Sequence, residues 1–148
     1  MAEIQAAGAA ASAAGRGQAV SADKIEIRHC RGLEEFRACV DLQKEVWNFS
    51  DADLIPLRMF VVADKIGGQI IGGFDGGTLI GFALAIPGNR GGHLYLHSHM
   101  LAVRESYRNH GLGRSMKLAQ RQDALARGFD LMECGPSIRW RSRTRSST

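Results

Sequence analysis

The chain has 148 residues, 45% of them hydrophobic and 23% charged, with a formal net charge of +4. That is one domain's length, and no run approaches the roughly 18 apolar residues of a membrane span, so no membrane partner is expected. The charge excess is local: Arg139, Arg141, Arg143 and Arg145 fall in the last ten residues, and without the acid-free stretch 134–148 the chain carries 15 basic and 15 acidic residues. A balanced body argues against a basic groove for nucleic acid, and any polyanion affinity belongs to the tail.

Residues 1–23 are almost all Ala, Gly and Ser. They lack the large apolar side chains that offset chain entropy, so a disordered leader is expected. No basic start precedes a bulky apolar core, and Arg16 is its one basic residue, which argues against a secretory or organelle address. The cysteines (Cys30, Cys39 and Cys134) are odd in number and form no CxxC pair, the usage of a reducing, cytoplasmic setting.

Between leader and tail, 24–133 forms the expected domain. Alternation of Ile25 and Ile27 predicts a strand over 24–28, and Leu33, Phe36, Val40, Gln43 and Trp47 predict an amphipathic helix over 33–47. A polar loop over 48–53 leads to a short helix with Pro56 in its first turn, ended by Gly67 and Gly68. Two apolar runs, 69–74 and 78–86, flank Asp75-Gly76-Gly77 and predict a hairpin. A turn over 87–92 follows, then a long strand over 93–103. A helix over 114–127 is expected to bury Leu118, Gln122, Leu125 and Phe129 on one stripe and to stop at Gly128. A further strand begins at Asp130. The fold class is α/β (α+β): a mixed central sheet flanked by helices, with one crossover.

Chemistry concentrates in Arg108-Asn109-His110-Gly111-Leu112-Gly113, between a strand and a helix. Two glycines allow a tight turn and close backbone approach, and the first amides of the helix lack intrahelical partners at the positive end of its dipole. Phosphate or pyrophosphate suits such a site, and Arg108 and Arg114 bracket it with charge. A Walker loop is excluded because no GKS or GKT is present, and a dinucleotide fingerprint lacks its third glycine, Met116 standing there.

RxxGxG after a strand ending Leu101-Ala102-Val103 resembles the acetyl-CoA motif of the GNAT N-acetyltransferase superfamily, as does the order of elements before it. The resemblance implies a GNAT, or acyl-CoA N-acyltransferase, fold with acetyl-CoA as co-substrate and no metal. Backbone groups of Leu101, Ala102 and Val103 would meet the pantetheine arm. Arg108, Asn109, His110, Gly111, Leu112, Gly113 and Arg114 would wrap the pyrophosphate. The strand over 93–103 would splay from the next strand and leave a gap for the thioester, while residues 47–60 would help shape the acceptor pocket.

The implied reaction is direct acetyl transfer to a primary amine of a small molecule or peptide, with a homodimer left open. Deprotonating an alkylamine of pKa about 10.4 at pH 7 costs about 4.6 kcal/mol, at ~1.36 kcal/mol per unit. Positioning contributes about 7–11 kcal/mol and a general base about 10²–10⁴-fold, so the base is the replaceable part. His99, then His97 and Glu133, are its candidates. Each has a bland alternative: a structural turn at 108–114, hydrogen-bonded histidines beside His93 and Tyr95, a structural Glu133, and core packing for Trp47 and Phe49. No carboxylate or cysteine completes a metal set with His93, His97 and His99.

Two other classes fit the residues: a non-catalytic acyl-CoA-binding module, and a protein that binds RNA or an anionic surface through its arginine tail. After Glu133 the pattern breaks, where the superfamily would complete a strand and add a last helix and further strands. Back-translation of the tail shifted by two bases yields WTFDPLEIKNAFFN, similar to the continuation in one uncharacterised GNAT-like subfamily. The expectation is a frameshifted, disordered tail, and hence weak turnover and poor solubility, since lost strands bare a sheet edge.

Overall fold

The computed structural model describes residues 24–134 and the backbone of 138–141. The expected leader, 1–23, and most of the tail lie outside these residues. Strand β1 (Ile25–His29) leads into α1 (Gly32–Trp47), α2 (Leu57–Lys65), β2 (Gln69–Asp75), β3 (Thr78–Arg90) and β4 (His93–Val103). A 3-10 turn (Glu105–Tyr107) precedes α3 (Leu112–Ala126), β5 (Leu131–Cys134) and β6 (Ile138–Arg141).

One six-stranded sheet runs β1-β2-β3-β4-β5-β6 in sequence order. The first four strands form an antiparallel meander, α3 carries the chain across to a parallel β5, and β6 returns antiparallel to β5. β6 lies in the segment expected to lack structure; it pairs Ile138 with Cys134 and Arg141 with Leu131.

Helices α1 and α2 cover one face, where Phe36, Leu42 and Phe60 meet Phe74, Phe82 and Leu84. Phe60 meets Phe82 edge to face at 5.7 Å. Glu34 and Glu35 suit the positive end of α1, and Glu35 also accepts from the Arg31 amide. Asn48 closes the other end in a left-handed conformation, its amide on the Lys44 carbonyl. Gln43, fully buried, holds the Ile55 backbone through both amide atoms at 3.0 and 2.9 Å, which clips the loop after α1 onto the helix. Leu33, expected on the buried stripe, is 52% exposed; Cys39 and Leu42 take the interior instead.

α3 covers the other face and corrects two expectations. It starts at Leu112 rather than Arg114, and its buried residues are Leu112, Met116, Gln120 and Ala124, a strict i, i+4 row. Leu118 and Leu125 from the expected stripe are 44% and 43% exposed. β3 also outlasts its expected end at Ile86, continuing through Pro87 to Arg90, so the turn shrinks from 87–92 to Gly91-Gly92. The pairing of β3 with β2 ends at Ala85 opposite Gln69, leaving β3 one neighbour among the described residues beyond that point, where a proline without an N–H is tolerated.

Candidate functional site

β4 is the element that builds the site. It pairs with β3 along its length, but Leu84 faces Met100 and Ala85 faces Ser98, so His99 has no partner on β3 and forms a bulge. The extra residue reverses the facing of the strand. Before it, Leu96 and Ser98 point to α3; after it, Leu101 and Val103 do, and Ala102 turns into the α1–α2 core. On its other side β4 meets β5 through Tyr95–Ser98 alone. From His99 to Val103 that edge has no strand beside it among the described residues, so the sheet opens into a gap as the strand approaches the loop.

The loop is shaped for an anion. Asn109 and Gly111 both take left-handed conformations, φ 66° and 75°. A left-handed residue leading into right-handed ones makes successive amides converge, and Gly111 leads directly into the first turn of α3. α3 has no side-chain N-cap, and Ser115 is the first residue whose amide finds a turn partner, the Gly111 carbonyl at 3.0 Å. Among the described residues the first-turn amides of Leu112, Gly113 and Arg114 have no intrahelical partner, at the positive end of a four-turn helix.

A cleft of about 610 Å³ joins the open strand to this loop. Leu101, Val103, Tyr107, Arg108, Asn109, Gly111, Leu112 and Gly113 line it, with Val46 and Trp47 from the end of α1. Seven of the residues expected at a nucleotide arm thus meet in one concavity. His110 and Arg114 are exposed beside it and Ala102 is buried behind it. Arg108 folds back, donating Nε–H to the Val103 carbonyl at 3.0 Å, which ties the loop to the strand end.

Two wall residues escaped the sequence reading, Val46 and Tyr107. Tyr107 donates its hydroxyl to Asp75 at 2.6 Å, bracing the loop against the β2–β3 hairpin. That hydrogen bond to Asp75, with burial second, pushes the phenol above its ordinary value of 10.0. An aromatic residue within an RxxGxG loop was visible in the sequence; its partner, 32 residues away, was not. Trp47 stacks on Phe49 with ring centroids 5.3 Å apart; it lines the cleft and also packs against the α1–α2 core, while Phe49 is not part of the lining.

The three candidate bases lie away from the cleft lining. His97 and His99 sit with ring centroids 5.9 Å apart, His99 exposed at the bulge. Glu133, register partner of His97, is gripped by the Arg90 guanidinium at 2.8 and 3.3 Å. That bidentate grip ties Glu133 to the end of β3, which weighs for a structural Glu133. Among the described residues no three His, Cys, Asp or Glu side chains gather to hold a metal, and no helix is long and apolar enough to cross a membrane.

The family model of the acetyltransferase (GNAT) family matches residues 34–137, well over half of the sequence. The chain belongs to this family. No curated protein sequence matches it. Among solved structures, one neighbour is an aminoglycoside acetyltransferase from an uncultured soil metagenomic sample, in complex with trehalose. It has TM-score 0.67 and 13% identity, with 78% of this chain and 80% of that one covered. A GNAT family acetyltransferase from Brucella melitensis in complex with acetyl-CoA gives 0.63 and 11%, covering 77% of each. The ribosomal-protein-S18-alanine N-acetyltransferase from Escherichia coli gives 0.58 and 15%, covering 73% and 64%. At these identities the likeness is one of fold: the mixed sheet flanked by helices is the GNAT fold.

Proposed function

We propose that this chain is an acetyl-CoA-dependent N-acyltransferase domain that moves an acyl group directly from the thioester to a primary amine. The observation that carries this reading is the edge of β4 from His99 to Val103, which no described strand pairs, running into the first-turn amides of α3, which have no intrahelical partner. An extended arm bearing a pyrophosphate needs both: main-chain partners along the arm and converging N–H groups at the anion. Leu101 and Val103 flank the arm, and Asn109, Gly111, Leu112 and Gly113 meet the phosphates. A small-molecule or peptide amine would approach past Trp47, with His99 before His97 as the group receiving its proton through water. A reducing, cytoplasmic setting fits the free thiols of Cys30, Cys39 and Cys134.

The engagement of Glu133 by Arg90, and a cleft lined by no histidine or carboxylate, favour one second reading: a module that binds acyl-CoA without turning it over.

Titration calorimetry with CoA tests the first claim. A Cβ at Gly113 would meet Leu101 Cδ2 at 3.3 Å, within the cleft wall, and any L side chain at Gly111 would be strained at φ +75°. Gly113→Leu and Gly111→Val should each weaken CoA binding at least about tenfold, about 1.4 kcal/mol, with the helical signal retained. Unchanged affinity in both folded variants refutes the site. A thiol-release assay with amine acceptors then separates transfer from binding alone.

A further inference from the structure

The gap between β4 and β5 has an apex, and its side chains are nucleophiles. The last register pair of the two strands is Ser98 with Cys134. Both side chains reach the α3 face, where Lys117 Nζ donates to Ser98 Oγ and toward Cys134 Sγ at 3.9 Å. Ser98 in turn donates to Gln120 Oε1 at 3.0 Å. The other half of that amide, Gln120 Nε2, is fully buried and has no acceptor among the described residues. A thiol, an amine and a spare donor therefore sit together where the open edge begins. Ser98 is buried and holds the amine, while Cys134 and Lys117 are partly exposed.

We propose that Cys134 and Lys117 form an internal acyl-accepting pair, the thiol taking an acyl group from a small acyl thioester and passing it to the lysine amine. The donor rests on the coenzyme-binding reading above. In the first step the Cys134 sulfur bonds the acyl carbon and the donor's C–S bond breaks, the thiol proton ending on the released thiol. In the second, Lys117, having lost a proton to water, bonds the same carbon, and the Cys134 thiolate leaves and is reprotonated. The sum converts one thioester and one ammonium into an amide, a thiol and a proton. With Sγ and Nζ 3.9 Å apart, the acyl carbon on sulfur comes within the ~3–3.5 Å that lets an intramolecular attack outrun solution chemistry. Lys117, fixed by Ser98, thus becomes a modification site that exposed lysines such as Lys44 and Lys65 do not match.

The full chain is incubated with acetyl-CoA, and separately with N,S-diacetylcysteamine, a thioester without a nucleotide, and then peptide-mapped by mass spectrometry. Lys117 should gain one acetyl, stable to hydroxylamine, at least about tenfold faster than Lys44 or Lys65. Lys117→Arg should trap a hydroxylamine-labile acetyl on Cys134, and Cys134→Ser should slow Lys117 labelling about tenfold or more. Equal labelling of the lysines, or a folded Cys134→Ser that labels Lys117 at the original rate, overturns the pair. CoA calorimetry on the same samples separates the two readings. Binding without labelling by either thioester sinks the pair alone. Thiol-dependent labelling by the short thioester without CoA binding supports the pair and sinks the coenzyme site.

Discussion

Arg28 shows how one side chain can set an acid limit on this domain. Its guanidinium grips Glu35 at 3.0 and 2.7 Å and lies 3.9 Å over the Phe74 ring, so β1, α1 and β2 meet at one cation. The hydrogen bond from Arg28, aided by the Arg31 amide and opposed by burial, holds the Glu35 carboxyl below its ordinary 4.5. Asp123 is also lowered: burial opposes ionisation there, and Gln69, Arg127 and His29 together overcome it. A depressed carboxylate contributes stability that is fully present above its unfolded value and lost as pH falls through the folded one. Urea midpoints should therefore hold level down to about pH 4.5 and decline below it. Arg28→Met should flatten the Glu35 share of that decline while lowering the midpoint at neutral pH. A midpoint that instead falls on raising the pH from 5 to 7 would contradict this sign. Tyr107→Phe removes one hydroxyl bond, at a cost of about 1 kcal/mol, and should weaken CoA binding through a looser loop.

Helix α3 is the element on which sequence pattern and structure part most sharply. Leu118 and Leu125 are large apolar residues, so a periodicity count selects them, while Phe129 from the same stripe does pack against Ala124 and its neighbours. Met116 and Ala124 with the polar Gln120 occupy the buried row instead. Gln120 is buried because its oxygens have partners: the side chain accepts from Ser98 and the main chain from Gln69. A pattern that scores only hydrophobicity cannot see a glutamine whose partners lie 22 and 51 residues away. Truncation tests the assignment directly. Met116→Ala, at a fully buried position, should cost about 2–5 kcal/mol in chemical denaturation. Leu118→Ala should stay within about 0.5 kcal/mol. The reverse ranking would restore the original stripe. Other elements were readable because their signals are local: the Asp75-Gly76-Gly77 turn, where both glycines take positive φ, and the stop at Gly67, φ 89°.

Across the whole molecule, the functional feature is where the sheet fails to stay closed. β4 stays beside β3 apart from the bulge at His99. Beyond Ser98 no described strand pairs its other edge, which leaves main-chain donors and acceptors beside a cleft without a strand partner among the described residues. Amides of His99 to Val103 that face the gap should exchange rapidly in the free chain and become protected when CoA is added, as read by hydrogen exchange. Protection confined to α1 and β1 would place the ligand elsewhere. β6 adds a further strand beside β5, so the sheet does not end at the crossover.

The sequence by itself determined the loop, because RxxGxG between a strand and a helix is a short-range arrangement: nearby residues set φ, the first-turn amides and the dipole. It also determined the element order and the main hairpin, which depend on neighbours a few residues apart. The bulge at His99, the buried row of α3 and the meeting of Ser98, Lys117 and Cys134 were decided by the tertiary structure alone. Each depends on which strand or helix lies alongside, and a side chain's facing and partners follow from that packing rather than from its own neighbours in the chain.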